Sequence, residues 1–199
     1  MKINKLSKDL YEIEDFITEE QQKEVLDFMS SLNEEDWFMP APGSSDEYKE
    51  SLWYGRQYHG EKPQVLIDVQ DLVHGLFEKV DAGIPIAVQR YKQNDSIRAH
   101  RDYWIYDLPY HIRYGICIYY NDNYEGGELS YPELEIIHKP KARSLVMHGG
   151  NILHESLPVT SDSIRYFGTG FVRGSKEFPV VLNQELFSGI HEEDGSKYV

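Results

Sequence analysis

The stretch IRAHRDYW at residues 97–104 places a histidine and a carboxylate two positions apart, a spacing that can hold a metal. In an extended strand, His100 and Asp102 project from the same face, where an imidazole and a carboxylate can bind one divalent ion. The pair alone is weak, because 8 His and 34 Asp+Glu in 199 residues give roughly 1.4 such pairs by chance. Two more do occur, His59-Gly60-Glu61 and His191-Glu192-Glu193.

An iron site that performs oxidation needs a second histidine, because two histidines and one carboxylate hold the metal and leave its other positions open. The downstream candidates are His111, His138, His148 and His154. An oxygenase with a dicarboxylate cosubstrate also needs a fixed cation on the strand that follows this histidine. Arg165 lies 11 residues after His154, whereas the corresponding positions after the other three are Asp122, Gly149 and Val159. The spacing favours His154 as the ligand and makes His148 a packing residue.

The chain from residue 84 onward is typical of a series of short strands. Segments rich in Ile, Val, Tyr and Phe recur, separated by turn signals such as Asn94-Asp95 and Gly126-Gly127. Seven or eight strands at this spacing predict a mainly β protein, a sandwich or jelly roll. We expect one domain over residues 1–199: an N-terminal part (1–83), a jelly-roll core (84–173) and a C-terminal tail (174–199), whose residues 183–199 are expected on the surface.

Two helices are expected before this core. Thr18 followed by Gln21 predicts a capping box at the start of the first helix, and the second helix begins near Pro63. Both carry an apolar stripe, so we expect them to pack on one sheet. Between them, residues 37–63 interleave aromatic side chains with Pro, Gly and Ser, and they either fold over the core or cover a ligand.

Composition narrows the partners and the compartment. The formal net charge of −14 disfavours nucleic acid and anionic membranes as partners, because long-range repulsion opposes both. A single cysteine, Cys117, excludes an intramolecular disulfide and a Cys-based zinc site. The first residues lack the apolar stretch of a signal peptide, and no run reaches membrane-spanning length. We therefore expect a cytoplasmic protein.

Six segments match a known family in order: VQRY, AHRD, RYGICIYYN, GGELSYP, KPKARSLVMH and LHESLPVTSDSIRYFGTGF. From about Ile84 to Val172 the chain resembles the non-haem Fe(II)/2-oxoglutarate-dependent dioxygenases, specifically the prolyl-4-hydroxylase-like branch. The resemblance implies a double-stranded β-helix, the jelly roll of that family. It implies that His100, Asp102 and His154 bind iron. It also implies that Arg165 and Tyr120, with Tyr91 as a weaker match, hold the cosubstrate.

Charge and strand alternation agree with these assignments. Iron(II) held by two neutral imidazoles and a carboxylate has a net charge of +1. A bound 2-oxoglutarate dianion changes the net charge of the site to −1, and the positive charge of Arg165 makes it neutral. Strand alternation puts Tyr120 on one face and Tyr119 on the other, and the resemblance takes Tyr120 as the inward one. Leu129 is expected as an apolar wall for the cosubstrate, and Thr169 as an added hydroxyl.

The resemblance implies hydroxylation of an unactivated C–H bond with Fe(II), 2-oxoglutarate and O2, with ascorbate as a candidate reductant. Succinate and CO2 are then the coproducts. Arg113 matches a position that prolyl hydroxylases use near the peptide. Ile97 stands where they usually have Tyr, and Phe171 where they usually have Trp. Tyr103 and Trp104 are further candidates for the substrate wall.

Three functions stay open. The first is hydroxylation of a prolyl or other amino-acid side chain in a peptide or protein. The second is the same chemistry on a free small molecule, such as an amino acid. The third is a jelly-roll binding protein that keeps the metal site but catalyses nothing. The presence of Arg165 argues against the third, because a silent metal-binding protein has no need for a cation that grips a cosubstrate.

Overall fold

The computed structural model describes residues 1–38, 55–80, 84–102, 111–175, 179–188 and 190. Residues 39–54 of the aromatic segment lie outside these ranges, as do Tyr103, Trp104 and the pair His191-Glu192-Glu193. The expectations for them stay predictions.

The described residues form fourteen strands and three α-helices, and the strands from β5 to β14 follow one another without an α-helix between them. The strands are β1 Lys2–Ser7, β2 Leu10–Glu14, β3 Trp37–Phe38, β4 Arg56–Tyr58, β5 Phe77–Lys79, β6 Ala87–Tyr91, β7 Ile97–His100, β8 His111–Tyr119, β9 Leu129–Tyr131, β10 Ile136–His138, β11 Leu145–Gly149, β12 His154–Ser156, β13 Arg165–Gly174 and β14 Val181–Leu182. The helices are α1 Glu19–Ser31, α2 Gln64–His74 and α3 Gln184–Phe187. Within these ranges, every helix is too short or too polar to cross a membrane.

Two antiparallel sheets make the core. The larger has the order β1-β2-β11-β8-β13-β6-β4-β3, and the smaller has the order β10-β9-β12-β7. A third sheet pairs β14 with β5. Apart from the consecutive pairs β1–β2, β3–β4 and β9–β10, neighbouring strands in these two sheets are not consecutive in the chain, which is typical of a double-stranded β-helix. The predicted fold class is therefore confirmed.

The N-terminal helices cover one face of the larger sheet, as predicted. The Thr18 hydroxyl accepts from the Gln21 backbone N–H at 3.1 Å, and the Gln21 side chain accepts from the Thr18 N–H at 3.0 Å. This reciprocal pair is the expected capping box. The two helices share an apolar cluster with the larger sheet, and its helical members are Val25, Met29, Val65, Leu66, Val69 and Val73.

The C-terminal segment differs from the expected surface tail. Leu182 of β14 and Phe187 of α3 are buried in the same cluster as the helices, and the Phe187 ring meets Tyr11 edge-on at 5.5 Å. Burial of these two large apolar side chains stabilises the folded protein, because it removes their surface from water. This explains why the segment packs against the core. Leu182 ends the short apolar run Val180–Leu182, and Phe187 follows in a more polar stretch, NQELF.

Candidate functional site

The register of two short strands brings the expected metal ligands together. β12 pairs with β7 so that His154 lies directly opposite His100. Asp102 follows β7 by two residues, and its Oδ1 lies 3.6 Å from His100 Nε2 and 3.7 Å from His154 Nε2. The ligand atoms of the three residues all lie within 4.8 Å of one another. This is the compact arrangement that one metal ion requires.

Backbone contacts orient both histidines for ligation through Nε2. His100 Nδ1 lies 2.7 Å from the carbonyl oxygen of Arg98, and His154 Nδ1 lies 2.9 Å from that of Ile152. A carbonyl only accepts, so each Nδ1 carries the proton and donates it. Each Nε2 then presents a lone pair toward Asp102, and a metal ligand of this kind is held in place through its other nitrogen.

The protonation states suit a divalent metal. Burial lowers the pKa of His100 and lowers that of His154 to about 3, so both rings are neutral near pH 7. Burial by itself raises the pKa of Asp102, but the hydrogen bond from His148 and the nearby imidazoles lower it overall. Two neutral imidazoles and one carboxylate are the donor set that binds non-haem iron(II).

A cavity of about 60 Å³ adjoins these three side chains and extends between the two sheets. That volume is several times the roughly 10–15 Å³ that a single water needs. Its walls are largely apolar, and they include Leu129 from the smaller sheet with Phe167 and Phe171 from β13. Arg165, also on β13, supplies a positive charge to the same cavity.

Arg165 is a buried cation with neutral partners. Only 1% of it is exposed. Its guanidinium donates to the Gly127 carbonyl at 3.0 Å, to the Tyr119 hydroxyl at 3.0 Å and to the Ser156 hydroxyl. Its Nε has no hydrogen-bond partner, and no carboxylate forms an ion pair with it, among the residues described. A buried charge is stable when an opposite charge meets it, so this position fits an anionic ligand.

The glycine pair before β9 explains how one of these contacts arises. Gly126 and Gly127 have φ angles of 70° and 66°, in the left-handed region that favours glycine. A Cβ at Gly126 would overlap the Pro158 carbonyl oxygen. The resulting tight turn presents the Gly127 carbonyl to Arg165. The turn signal in the sequence is therefore part of the site.

The tyrosine that faces Arg165 is Tyr119, which corrects the expectation for Tyr120. Arg165, Phe167 and Thr169 face the cavity from β13, and on β8 the residues on the same side are Gly115, Cys117 and Tyr119. The Tyr120 ring packs in the helix-side cluster, where its buried hydroxyl has no hydrogen-bond partner in the described part of the chain. Alternation separates the two tyrosines correctly, but it does not say which face points inward.

The other expected site residues divide into two groups. Those that line the cavity are Ile97, His100, Asp102, His154, Tyr91, Leu129, Arg165, Thr169 and Phe171. Arg113 does not line it. Its guanidinium pairs with Asp9 at 3.1 Å and lies over the Tyr114 ring at 4.4 Å. Asp9 belongs to the β1–β2 turn, so this arginine joins two parts of the larger sheet instead.

Several cavity residues escaped the sequence-based prediction. The most polar are Gln89, His148 and Ser156. Gln89 donates from its amide to the Thr169 hydroxyl at 2.7 Å, and its buried Oε1 has no partner within the described ranges. Gln89 and Ser156 each stand two residues from an expected site residue, Tyr91 and His154. Period-two alternation around those residues could have found both, whereas His148 needed the sheet topology.

The lowered pKa of His154 makes the metal-free protein sensitive to acid. Below pH 6.5 the His154 imidazole is protonated in the unfolded chain, whereas in the folded chain it stays neutral down to about pH 3. The unfolding free energy therefore falls as the pH falls across this window. Between pH 7 and pH 5, protonation of His154 in the unfolded chain lowers the unfolding free energy by about 2 kcal/mol. His154→Gln lacks this imidazole, so its unfolding free energy should not show that loss. Urea unfolding of both proteins at the two pH values, with a chelator present, measures the difference. Equal losses in the two proteins would contradict it.

Solved structures with the same fold include three prolyl hydroxylases. A prolyl-4-hydroxylase from Pseudomonas putida is 16% identical, with a TM-score of 0.62 over 83% of this chain and 92% of that one. One from Trichoplax adhaerens, in complex with a hypoxia-inducible-factor oxygen-degradation-domain peptide fragment, is 15% identical, with a TM-score of 0.65 over 91% and 87%. The viral collagen prolyl hydroxylase of Paramecium bursaria Chlorella virus-1, as a 2-oxoglutarate complex, is 15% identical, with a TM-score of 0.60 over 83% and 96%.

The sequence itself matches no protein-family model and no curated protein. At these levels of identity, the similarity to the solved structures concerns the fold. The chain therefore has the double-stranded β-helix of the prolyl hydroxylases, as its sequence motifs suggested, and it carries a His–Asp–His cluster beside a buried arginine.

Proposed function

We propose that the protein is an Fe(II)- and 2-oxoglutarate-dependent dioxygenase that hydroxylates an unactivated C–H bond. One observation carries this proposal. The cavity that adjoins the His100, Asp102 and His154 cluster also contains Arg165, a buried cation with no carboxylate partner in the described segments. A metal-binding protein without catalysis has no use for such a cation, whereas a dicarboxylate cosubstrate needs one.

The three ligand residues would hold iron(II) through one face and leave the other face toward the cavity. Iron and 2-oxoglutarate would supply the activation of O2, in which decarboxylation to succinate and CO2 accompanies oxygen insertion into a C–H bond. The protein's part is to orient the reactants and to keep bulk water out. The buried side chains of Leu129 and Phe167 do the latter, and a dry cavity strengthens every charge interaction inside it.

Arg165 and Tyr119 would bind the far carboxylate of the cosubstrate. The guanidinium donates to Ser156, which lies two residues beyond His154 on β12, or about 7 Å along the strand. This separation suits a five-carbon dicarboxylate that reaches from the metal to the arginine. The Tyr119 hydroxyl accepts from Arg165 at 3.0 Å, which leaves its own hydrogen to donate to a bound carboxylate.

For the substrate, we infer a prolyl or other amino-acid side chain in a peptide or protein. The structures of similar fold support this inference, because one is a collagen prolyl hydroxylase and another binds a peptide fragment. A free small molecule is the second candidate. It is favoured by Arg113, which resembles a peptide-side residue but here pairs with Asp9 and lies outside the cavity lining.

Succinate formation tests the proposed activity. The protein is supplied with iron(II), 2-oxoglutarate, ascorbate and O2, and succinate is measured with proline-containing peptide pools and with free amino acids. We expect stimulation by the peptides, a mass increase of one oxygen atom in the product, and no turnover in His154→Gln. Stimulation by amino acids alone would select the small-molecule function. No binding of 2-oxoglutarate to the anaerobic, iron-loaded protein would contradict the proposal.

Replacing Arg165 separates cosubstrate binding from metal binding. Arg165→Met keeps the length of the side chain but removes its charge, and we expect 2-oxoglutarate to bind roughly 100-fold more weakly or worse. Metal affinity should stay within a few-fold, because Arg165 does not contact the three ligand residues. Anaerobic calorimetry measures both, with the metal-free protein titrated with iron(II) and the metal-loaded protein titrated with 2-oxoglutarate. Arg173→Met, an exposed arginine on the same strand, is the matched control.

The two tyrosines test the corrected assignment. Tyr119→Phe removes the hydroxyl that contacts Arg165, and we expect 2-oxoglutarate affinity to fall roughly 5- to 30-fold, for a loss of about 1–2 kcal/mol. Tyr120→Phe should change it less than about twofold, because that hydroxyl lies in the helix-side core. The same calorimetric titration compares them. A larger effect at Tyr120 would return the role to that residue.

A further inference from the structure

Asp102 is held from two directions. Its Oδ1 faces the two histidines of the candidate metal site, at 3.6 Å from His100 and 3.7 Å from His154. Its Oδ2 lies 3.2 Å from Nε2 of His148. His148 comes from β11 of the larger sheet, whereas His100 and His154 come from the smaller one. Each oxygen of this carboxylate therefore has its own set of neighbours.

The contact with Asp102 is the polar interaction that His148 makes. Only 2% of His148 is exposed, and its Nδ1 has no hydrogen-bond partner in the ranges that the structure describes. A carboxylate oxygen only accepts, so Nε2 of His148 donates to Oδ2. Burying an imidazole costs free energy that an apolar side chain of similar size would avoid. The donated hydrogen bond is what this residue type adds to the site.

A glycine makes the contact possible. Gly115 on β8 pairs directly with His148 on β11. A Cβ at Gly115 would overlap both Asp102 Oδ2 and His148 Nε2. Glycine weakens a strand interior, and its use there marks a close approach of other groups. Here the groups that approach are the donor and the acceptor of this hydrogen bond.

We propose that His148 is a positioning residue that makes Asp102 a ligand through one oxygen only. By donating to Oδ2 across Gly115, it directs Oδ1 to the metal and keeps Oδ2 away from it. The inference rests on the proposed iron site, but it requires neither the proposed substrate nor turnover. Nothing in the spacing of the sequence motifs assigns this role, because His148 lies 46 residues from Asp102.

The number of ligand oxygens matters for the chemistry. The facial triad leaves three metal positions open when each ligand residue gives one atom. A cosubstrate that chelates through a 2-oxo acid would take two of them, and O2 would need the third. A carboxylate that gave both oxygens would remove one position. His148 thus protects the position on which the reaction depends, through a contact outside the ligand set itself.

Two variants of His148 test this inference. His148→Leu removes the donor, whereas His148→Gln keeps an N–H at a similar distance from the backbone. Co(II) replaces iron, because its visible spectrum reports coordination and the titration gives an affinity. We expect His148→Leu to bind Co(II) about 10- to 100-fold more weakly, with a changed spectrum. His148→Gln should keep the wild-type spectrum and come within about threefold of the wild-type affinity.

Further measurements separate positioning from folding and from the metal site itself. Binding of 2-oxoglutarate to the Co(II)-saturated protein should weaken in His148→Leu, and Gly115→Ala should reproduce both losses. Circular dichroism checks that each variant folds, and His59→Leu, at an exposed histidine, should match the wild type throughout. If the folded Leu variant keeps the wild-type spectrum and affinity, or if Gln loses as much as Leu, the positioning role is wrong. If the wild type binds no Co(II), the proposed metal site fails as well.

Discussion

The pairing of β12 with β7 is the constraint on which the site depends. It puts His154 opposite His100, and the following residues of β12 then fall into place. Ser156, two residues on, meets Arg165 from the other sheet, and it pairs with Leu129 on β9. A slip of β12 by one residue would turn His154 to the opposite face, away from His100, and remove the Ser156 contact. One antiparallel register thus positions the metal ligands and the anchor for the buried cation together.

The charges of the cavity show why it needs both sheets. Asp102 and Arg165 are each almost fully buried, and the anion accepts a hydrogen bond from the His148 imidazole while the cation donates to neutral oxygens. The two charges line one cavity without pairing directly, in contrast to most buried ions. Each sheet contributes partners to both groups. The apolar side chains between them keep the dielectric low, so a bound metal and a bound dicarboxylate would each meet a strong field.

The sequence predicted the parts of the site that depend on spacing and failed where three-dimensional contacts decide. His100, Asp102, His154 and Arg165 were found because two residues along a strand keep one face and because a cation follows the histidine by 11 positions. The helices were found from a capping box and an apolar stripe. The inward face was assigned to Tyr120, whereas it belongs to Tyr119. Alternation separates the two faces of a strand, but only the packing of the sheet decides which face points to the cavity. The contact of His148 with Asp102 was not predicted, because it joins β11 of one sheet to the residues that follow β7 of the other.

Gly115 on β8 limits which amino-acid substitutions this protein can accept. Gly115 and His148 share one small volume beside Asp102, and any Cβ at 115 competes with the imidazole for it. The two positions are therefore coupled: a hydroxyl-bearing residue at 115 could donate to the carboxylate only if residue 148 became small. A residue with higher strand propensity at position 115 would stabilise β8 locally. Without a smaller residue at position 148, it would also displace Asp102, the proposed metal ligand. A substitution at residue 115 should thus require a compensating substitution at residue 148.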